Sequence, residues 1–250
     1  MSNNPTTDLC RTLIQRLTEL EADRARLLRH ISHELKTPLA ALREGVALLH
    51  EEVVGPLNSD QHEVIAILEH NTGVLQRQIE DLLRYHATVF EFARLQKRRV
   101  SLRELLTGVV EAQRLQLQAS GLRVEIECGA GDMVRLDPDK LRVALGNLLA
   151  NAILFSPEGS EIRLLAARAG EVGDRLFIEC IDQGPGVAAA DAERIFDPFV
   201  QGRRRPAAGP QGSGVGLAIV REVAAAHGGR VTLLPSAHGA HFRMDLPYEN

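Results

Sequence analysis

Between residues 9 and 86 apolar side chains recur at spacings of three and four. Leu9, Leu13, Leu17 and Leu20 share one helical face in a segment dense in Arg and Glu. Ile31, Leu35, Leu39, Leu42, Val46, Leu49 and Val53 form a heptad-like seam. "GPLN" at 55–58 carries turn chemistry, and a further seam runs through Val64, Leu68, Leu75, Ile79, Leu82 and His86. The pattern predicts two long helices joined by a short turn, an antiparallel helical hairpin. About thirty helical residues span roughly 45 Å, and two such helices enclose no core by themselves. A second copy completing a four-helix bundle is the simplest remedy, although a plain coiled-coil spacer would carry the same periodicity.

From residue 100 onward the periods are mixed. "SLRE" at 101–104 is a capping box that opens a helix. "LRVEIEC" alternates as a half-buried strand does. "DPDKLRVALGNLLANAILF" begins a helix with Asp137 at the N-cap and Pro138 at the first helical position. "EIRLLAARA" and "RLFIECID" read as strands around a turn. "GVGLAIVREVAAAHGG" reads as a helix closed by Gly228 and Gly229. "RVTLLP" and "AHFRMDLP" read as a closing hairpin. The expected architecture is α+β: the helical hairpin, then an α/β sandwich of two layers. "QGRRRPAAGPQGSG" at 201–214 is a loop and the best candidate for a mobile segment.

Several short runs carry possible chemistry. "GSGVGL" places Gly212, Gly214 and Gly216 ahead of Leu217 and a helix. It fails the dinucleotide fingerprint, which needs a glycine three residues after the second, and no GK[ST] run makes a P-loop. Glycines leading into a helix N-terminus still suit phosphate, as they suit a plain hinge. In "DQGPGV", Asp182 ends a strand before Gly184 and Gly186. A carboxylate there can accept from an exocyclic amine while glycines admit a planar ring; a tight turn with a solvated Asp has the same sequence. "NLLANA" sets Asn147 and Asn151 one helical turn apart, and amide oxygen suits Mg²⁺ that keeps waters and bridges phosphates. A surface amide pair would look alike. "IFDPF" places Phe196 and Phe199 around a turn, an arrangement commoner in cores than in ligand contacts.

Composition narrows the classes. The chain has 250 residues, 44% hydrophobic and 25% charged, with a formal net charge of -4. That balance gives no global attraction to nucleic acid. With no Trp and 4% aromatics there is no base-stacking platform. Cys10, Cys128 and Cys180 are odd in number and far apart, which points to reduced thiols in a cytoplasmic setting and away from zinc. No apolar run is long enough to span a membrane. "MSNNPTTD" has neither the basic nor the apolar region of a signal peptide.

"RHISHELKTPLA" at 29–40 joins a titratable pair to a helix-breaker. His33 lies two residues from both Ile31 and Leu35, so it falls off the apolar seam and faces outward. Glu34 beside it can accept a hydrogen bond from the imidazole and raise its nucleophilicity. Pro38 disturbs the backbone four residues earlier, so a local bend or loosened hydrogen bonds are expected across 30–40.

Taken in order, HELKTP, NLLANA, DQGPG, IFDPF and GSGVGL resemble the H, N, G1, F and G2 boxes of the sensor histidine kinases of two-component signalling. The resemblance covers nearly the whole chain from about residue 25. It implies a signalling helix or linker at 1–24, a dimerisation and histidine-phosphotransfer domain at 25–95, and a gyrase- and Hsp90-type catalytic ATP-binding domain at 100–248. It implies His33 as phosphoacceptor, Glu34 as neighbouring base and Thr37 as the position that assists dephosphorylation of the partner. Asn151 matches the Mg²⁺ ligand, Asn147 its companion and Asp182 the reader of the adenine amine. Gly184, Gly186, Phe196, Gly212, Gly214, Gly216 and Leu217 match the rest of the ATP site. Implied cofactors are ATP and Mg²⁺. Implied partners are a second copy of the chain and a response-regulator receiver domain, with the signal arriving from an upstream membrane sensor or from a soluble partner. Two other readings stay in view: an ATPase without histidine chemistry and a non-catalytic dimeric scaffold. One position departs from the family. Leu154 stands where a Lys or Arg often reaches phosphate, and Arg203, Arg204 or Arg205 is the expected substitute.

Overall fold

The structure is a computed structural model and describes Arg16, Ile31 and residues 34–53, 55–92, 95–129, 133–168, 175–203 and 212–248. The chain divides into two units, Met1–Phe90 and Glu91–Asn250. Among the described residues no helix is long and apolar enough to cross a membrane.

In the first unit, helix α1 runs over 34–50 and helix α2 over Ser59–Phe92. Local chemistry sets the joint between them. The N–H of Val53 donates to the Leu48 carbonyl and that of Glu52 to the Leu49 carbonyl, a Schellman closure of α1. Glu52 occupies the left-handed position with φ 55. Glycine usually stands there, and here the Glu52 carboxylate reaches His62 at 3.0 Å on α2. Asn58 and Gln61 then exchange reciprocal backbone-to-side-chain bonds of 2.9 Å, which caps α2. Arg43 pairs with Gln76, and His50 lies 3.1 Å from Glu69. Partners that rise along one helix and fall along the other make the hairpin antiparallel.

The seam divides in two. Leu39, Val46 and Ile65 are buried within the hairpin. Leu35, Leu42 and Leu49, spaced by seven on α1, stay exposed, as do Leu68 and Leu75 on α2. Helix α1 continues through Pro38 from residue 34. The expected bend also involves Ser32 and His33, which lie outside the described residues.

The second unit is a two-layer α/β sandwich. Strands β2 (Arg123–Cys128), β4 (Glu161–Arg168), β5 (Arg175–Ile181), β6 (Arg230–Leu234) and β7 (His241–Pro247) form one sheet in the order β2-β4-β5-β7-β6. Only the β2/β4 pair is parallel. Along β4 and β5 buried and half-exposed residues alternate, so one face meets the core and the other meets water. Helices α3 (Leu102–Ala112), α5 (Pro138–Phe155) and α6 (Gly216–Ala226) supply the second layer. Leu106, Leu141, Leu145, Leu149, Ile162, Leu164, Ile178 and Met244 are fully buried between the layers. The water-facing side carries ion pairs, such as Arg163 with Glu125 and Arg243 with Glu179.

Two features go beyond the sequence reading. Strand β1 (Arg98–Ser101) pairs antiparallel with β3 (Met133–Leu136) as a separate two-stranded sheet. Helix α3 also breaks at Gln113 before a short helix α4 (Arg114–Ala119).

Candidate nucleotide site

Helix α5 carries the two asparagines, and its first turn is heavily braced. Asp137 Oδ1 accepts from the N–H groups of Asp139 and Lys140, both at 3.2 Å. Asp137 Oδ2 accepts from the Gln96 N–H at 2.8 Å and faces Lys140 Nζ at 3.3 Å. The N–H of Asp137 donates to His227 Nε2 at 3.1 Å. His227 Nδ1 lies 2.8 Å from the Val223 carbonyl, so the neutral ring carries its proton on Nδ1. The junction thus fixes the start of α5, the end of α6 and the chain entering β1.

Asp137 and His227 are both shifted downward. Burial opposes the Asp137 charge, but the Gln96 and Lys140 N–H donors and the Lys140 ammonium outweigh it, and its pKa falls below the ordinary carboxylate value. Burial also lowers His227, only partly offset by the Val223 carbonyl and Asp137. A group whose folded pKa is depressed stabilises the fold above its unfolded value and loses that contribution as pH falls. The second unit should therefore lose stability below about pH 6.5 through His227, and again below about pH 4 through Asp137. Thermal unfolding followed from pH 8 to pH 3 measures this. His227→Gln should flatten the upper step; an unchanged upper step in that variant would contradict the assignment.

At the end of β5, Asp182 is 5% exposed. Its Oδ1 accepts from the Gly184 N–H at 2.8 Å and the Ala240 N–H at 2.9 Å. Burial raises its pKa, and these two bonds offset part of the rise. Gly184 is required for packing: a Cβ there would meet the Phe155 carbonyl oxygen at 2.6 Å. Gly239, which the sequence reading passed over, is tighter still. With φ 71, its Cβ would fall 1.8 Å from the Asp182 carbonyl oxygen. No local motif marks it, because its neighbour is 57 residues away in the chain. Cys180 on β5 is buried, which pushes its thiol far up and leaves it inert.

A cleft of about 320 Å³ opens between α5, the strand ends and the start of α6. Its walls include Asn147, Asn151, Asp182, Gly186, Gly212, Gly214, Gly216 and Leu217, residues singled out in three separate sequence motifs. Gly184 and Phe196 stand behind the wall. Phe196 is 8% exposed and meets the cleft residue Phe242 edge-on at 6.1 Å. Asn147 donates from Nδ2 to the Val143 carbonyl at 2.8 Å, and a Cβ on Gly216 would meet its Oδ1 at 3.0 Å. It therefore seats the start of α6 against α5. Gly214 has φ 75 and passes so close to Val200 and Phe199 that a Cβ would meet backbone at 2.7 Å. Leu154 lines the cleft, as do Asp191, Gln201, Gly202 and Phe242, none of which the motifs marked. Arg203 is paired with Asp191, its N–H at 2.9 Å and its Nε at 3.6 Å from the carboxylate. Arg204 and Arg205 lie outside the described residues, as does His33. Glu34 and Thr37 are exposed on α1.

These walls fit an adenine nucleotide. Both bonds to Asp182 fall on Oδ1, which leaves Oδ2 for an amine donor. The first N–H groups of α6 have no side-chain cap, because Val215 holds the N-cap position, and orphan donors at a helix start suit phosphate.

The comparisons agree with this geometry. A family model described as "Histidine kinase-, DNA gyrase B-, and HSP90-like ATPase" matches residues 136–250. One described as "His Kinase A (phospho-acceptor) domain" matches residues 23–86. The sensor histidine kinase GlrK of Escherichia coli is 36% identical over 236 residues, covering 94% of this chain and 49% of that protein. The alginate biosynthesis sensor protein KinB of Pseudomonas aeruginosa is 33% identical over 91% of this chain and 37% of its own length. The chain thus spans about half the length, or less, of these curated relatives. Among solved structures, full-length ShkA in complex with AMPPNP superposes with TM-score 0.64 at 28% identity, covering 90% of this chain and 46% of that one. Both domain matches fall in order along one polypeptide, and the chain belongs to the sensor histidine kinases of two-component signalling.

Proposed function

We propose that the chain is the kinase core of a two-component sensor. It phosphorylates its own His33 with Mg-ATP and passes the phosphoryl group to an aspartate of a response regulator. The observation that carries this reading is the single cleft in which Asn147, Asn151, Asp182 and the glycines before α6 converge from distant parts of the chain. In this reading Asp182 Oδ2 accepts from the adenine amine. Asn151 would hold Mg²⁺ through one neutral oxygen, and the ion would screen the phosphate charge. The N–H groups at the start of α6 hold phosphate oxygens.

The transfer itself asks mainly for alignment and charge screening. A ring nitrogen of His33 attacks the γ-phosphorus. The P–N bond forms as the bond to the β–γ bridging oxygen breaks, with ADP as the leaving group. Glu34 accepts a hydrogen bond from the N–H of the other ring nitrogen and takes up the proton as the ring becomes cationic. Thr37, four residues after His33, opposes the kinase output by assisting hydrolysis of the regulator's aspartyl phosphate. The exposed Leu35, Leu42 and Leu49, with Leu68 and Leu75, support a homodimer through a four-helix bundle.

Incubating the protein with Mg²⁺ and γ-labelled ATP tests the reading. The expected product is an acid-labile, base-stable label that disappears in His33→Gln. Wild-type protein that takes up no such label rules it out.

A further inference from the structure

We propose that Asp191 sets the affinity of the cleft for the terminal phosphate by competing for Arg203. The inference rests on the reading that the cleft binds ATP, and it assigns a residue that none of the sequence motifs marks.

The charge inventory of the cleft is unusual for a polyanion site. Among the described residues its walls hold two carboxylates, Asp182 and Asp191, and neither Lys nor Arg. Leu154, the position at which this chain departs from the family's Lys or Arg, lines the cleft as well. Asp182 is committed to the Gly184 and Ala240 N–H groups. Asp191 is not part of that arrangement. Its side chain is 14% exposed and lines the cleft.

Arg203, next in the chain to the cleft residue Gly202, is already engaged. Arg203 donates its N–H to Asp191 Oδ2 at 2.9 Å, and its Nε lies 3.6 Å from Asp191 Oδ1. The Arg203 side chain is 78% exposed, and a pair with one partner largely in water is weakly held. A guanidinium has a planar fork of donors that matches phosphate oxygens as well as it matches a carboxylate. A bound triphosphate and Asp191 are therefore rival acceptors for one guanidinium. When Arg203 turns to phosphate, Asp191 is left half-buried without its cation, and that cost subtracts from nucleotide affinity.

Asp191→Asn separates the two roles of the carboxylate. An amide oxygen can still accept from the Arg203 N–H and keep residues 201–203 in place, but the charge that holds the guanidinium is gone. The probes are a non-hydrolysable ATP analogue, ADP and adenosine, each titrated into the full chain with Mg²⁺. Asp191→Asn is expected to bind the ATP analogue about tenfold more tightly, with a smaller gain for ADP and none for adenosine. Arg203→Ala should weaken the ATP analogue several-fold. In the double variant most of the gain from Asp191→Asn should vanish. An Asp191→Asn protein that binds the ATP analogue no more tightly than wild type overturns the proposal. So does an equal gain with and without Arg203, which reduces Asp191 to simple repulsion. Wild-type protein that binds none of the three probes overturns the ATP reading as well, whereas normal binding without a response at Asp191 overturns this inference alone.

Discussion

Asp182→Asn is expected to lower ATP affinity by about 100-fold while leaving the fold intact. The substitution isolates one oxygen. Asn keeps an Oδ1 that can accept from the Gly184 and Ala240 N–H groups, at 2.8 and 2.9 Å in the native site. It replaces Oδ2 with an amide donor. An exocyclic amine then meets a donor where it needs an acceptor, which forfeits a hydrogen bond to a charged group worth about 1.5–3 kcal/mol. The same change welcomes a purine with a carbonyl at that position, so ITP should lose far less affinity than ATP, or gain. Stability should move the other way. Burial raises the Asp182 pKa, meaning the folded site penalises the charged form. That penalty is present at neutral pH and disappears as pH falls below the folded value. A neutral Asn removes it, so the variant should unfold at the same or a higher temperature at pH 7. Fluorescent-nucleotide titration and thermal unfolding measure both effects. ATP affinity within threefold of wild type would mean that the amine is read elsewhere.

Gly239→Ala is expected to be the most destabilising Gly→Ala substitution among the described glycines of the second unit. Its Cβ would lie 1.8 Å from the Asp182 carbonyl oxygen, 2.5 Å from the carbonyl carbon and 2.9 Å from Oδ1. Two of these atoms are backbone at the end of β5 and cannot swing aside. The left-handed φ of 71 adds a further penalty, about 1–2 kcal/mol for a residue with a Cβ. Overpacking adds about 1–3 kcal/mol. For a unit of this size the sum corresponds to a drop in unfolding temperature on the order of 5–15 °C. Gly228→Ala provides the control. Gly228 has a similar φ of 75, but its Cβ would meet only the flexible ring of Pro247 at 3.5 Å. Equal losses in the two variants would show that φ alone matters, and that the close approach to Asp182 does not.

The contrast between these glycines shows which parts of the molecule can be read from a linear chain. Gly228 was legible because it closes α6, where the helical period stops. The Ser101 and Asp137 caps were legible for the same reason: the signal and the bond lie within three residues of one another. The wall residues of the cleft were legible where they came in motifs with ordered spacing. Gly239 and Asp191 were not, since their importance is created by a neighbour brought in by the fold. Strands β1 and β3 were missed because each has four residues, too few for an alternation to register, and their pairing joins Arg98 to Leu136. The hairpin seam shows a subtler limit. Spacing marked Leu35, Leu39, Leu42, Val46 and Leu49 alike, yet only Leu39 and Val46 are covered by the opposing helix of the same chain. Periodicity identifies the apolar stripe and is silent on which part of it faces which neighbour.

The bond from the Gln96 N–H to Asp137 acts over more than the first turn of α5. Helix α2 ends at Phe92, and by Gln96 the chain is bonded into the nucleotide-binding unit. One carboxylate takes the Gln96 N–H on one oxygen and the first turn of α5 on the other. The strand that follows Gln96 is therefore registered against the same helix that carries Asn147 and Asn151. The buried carboxylate that caps a helix is, in this sense, also the pin that ties β1 to the frame of the cleft.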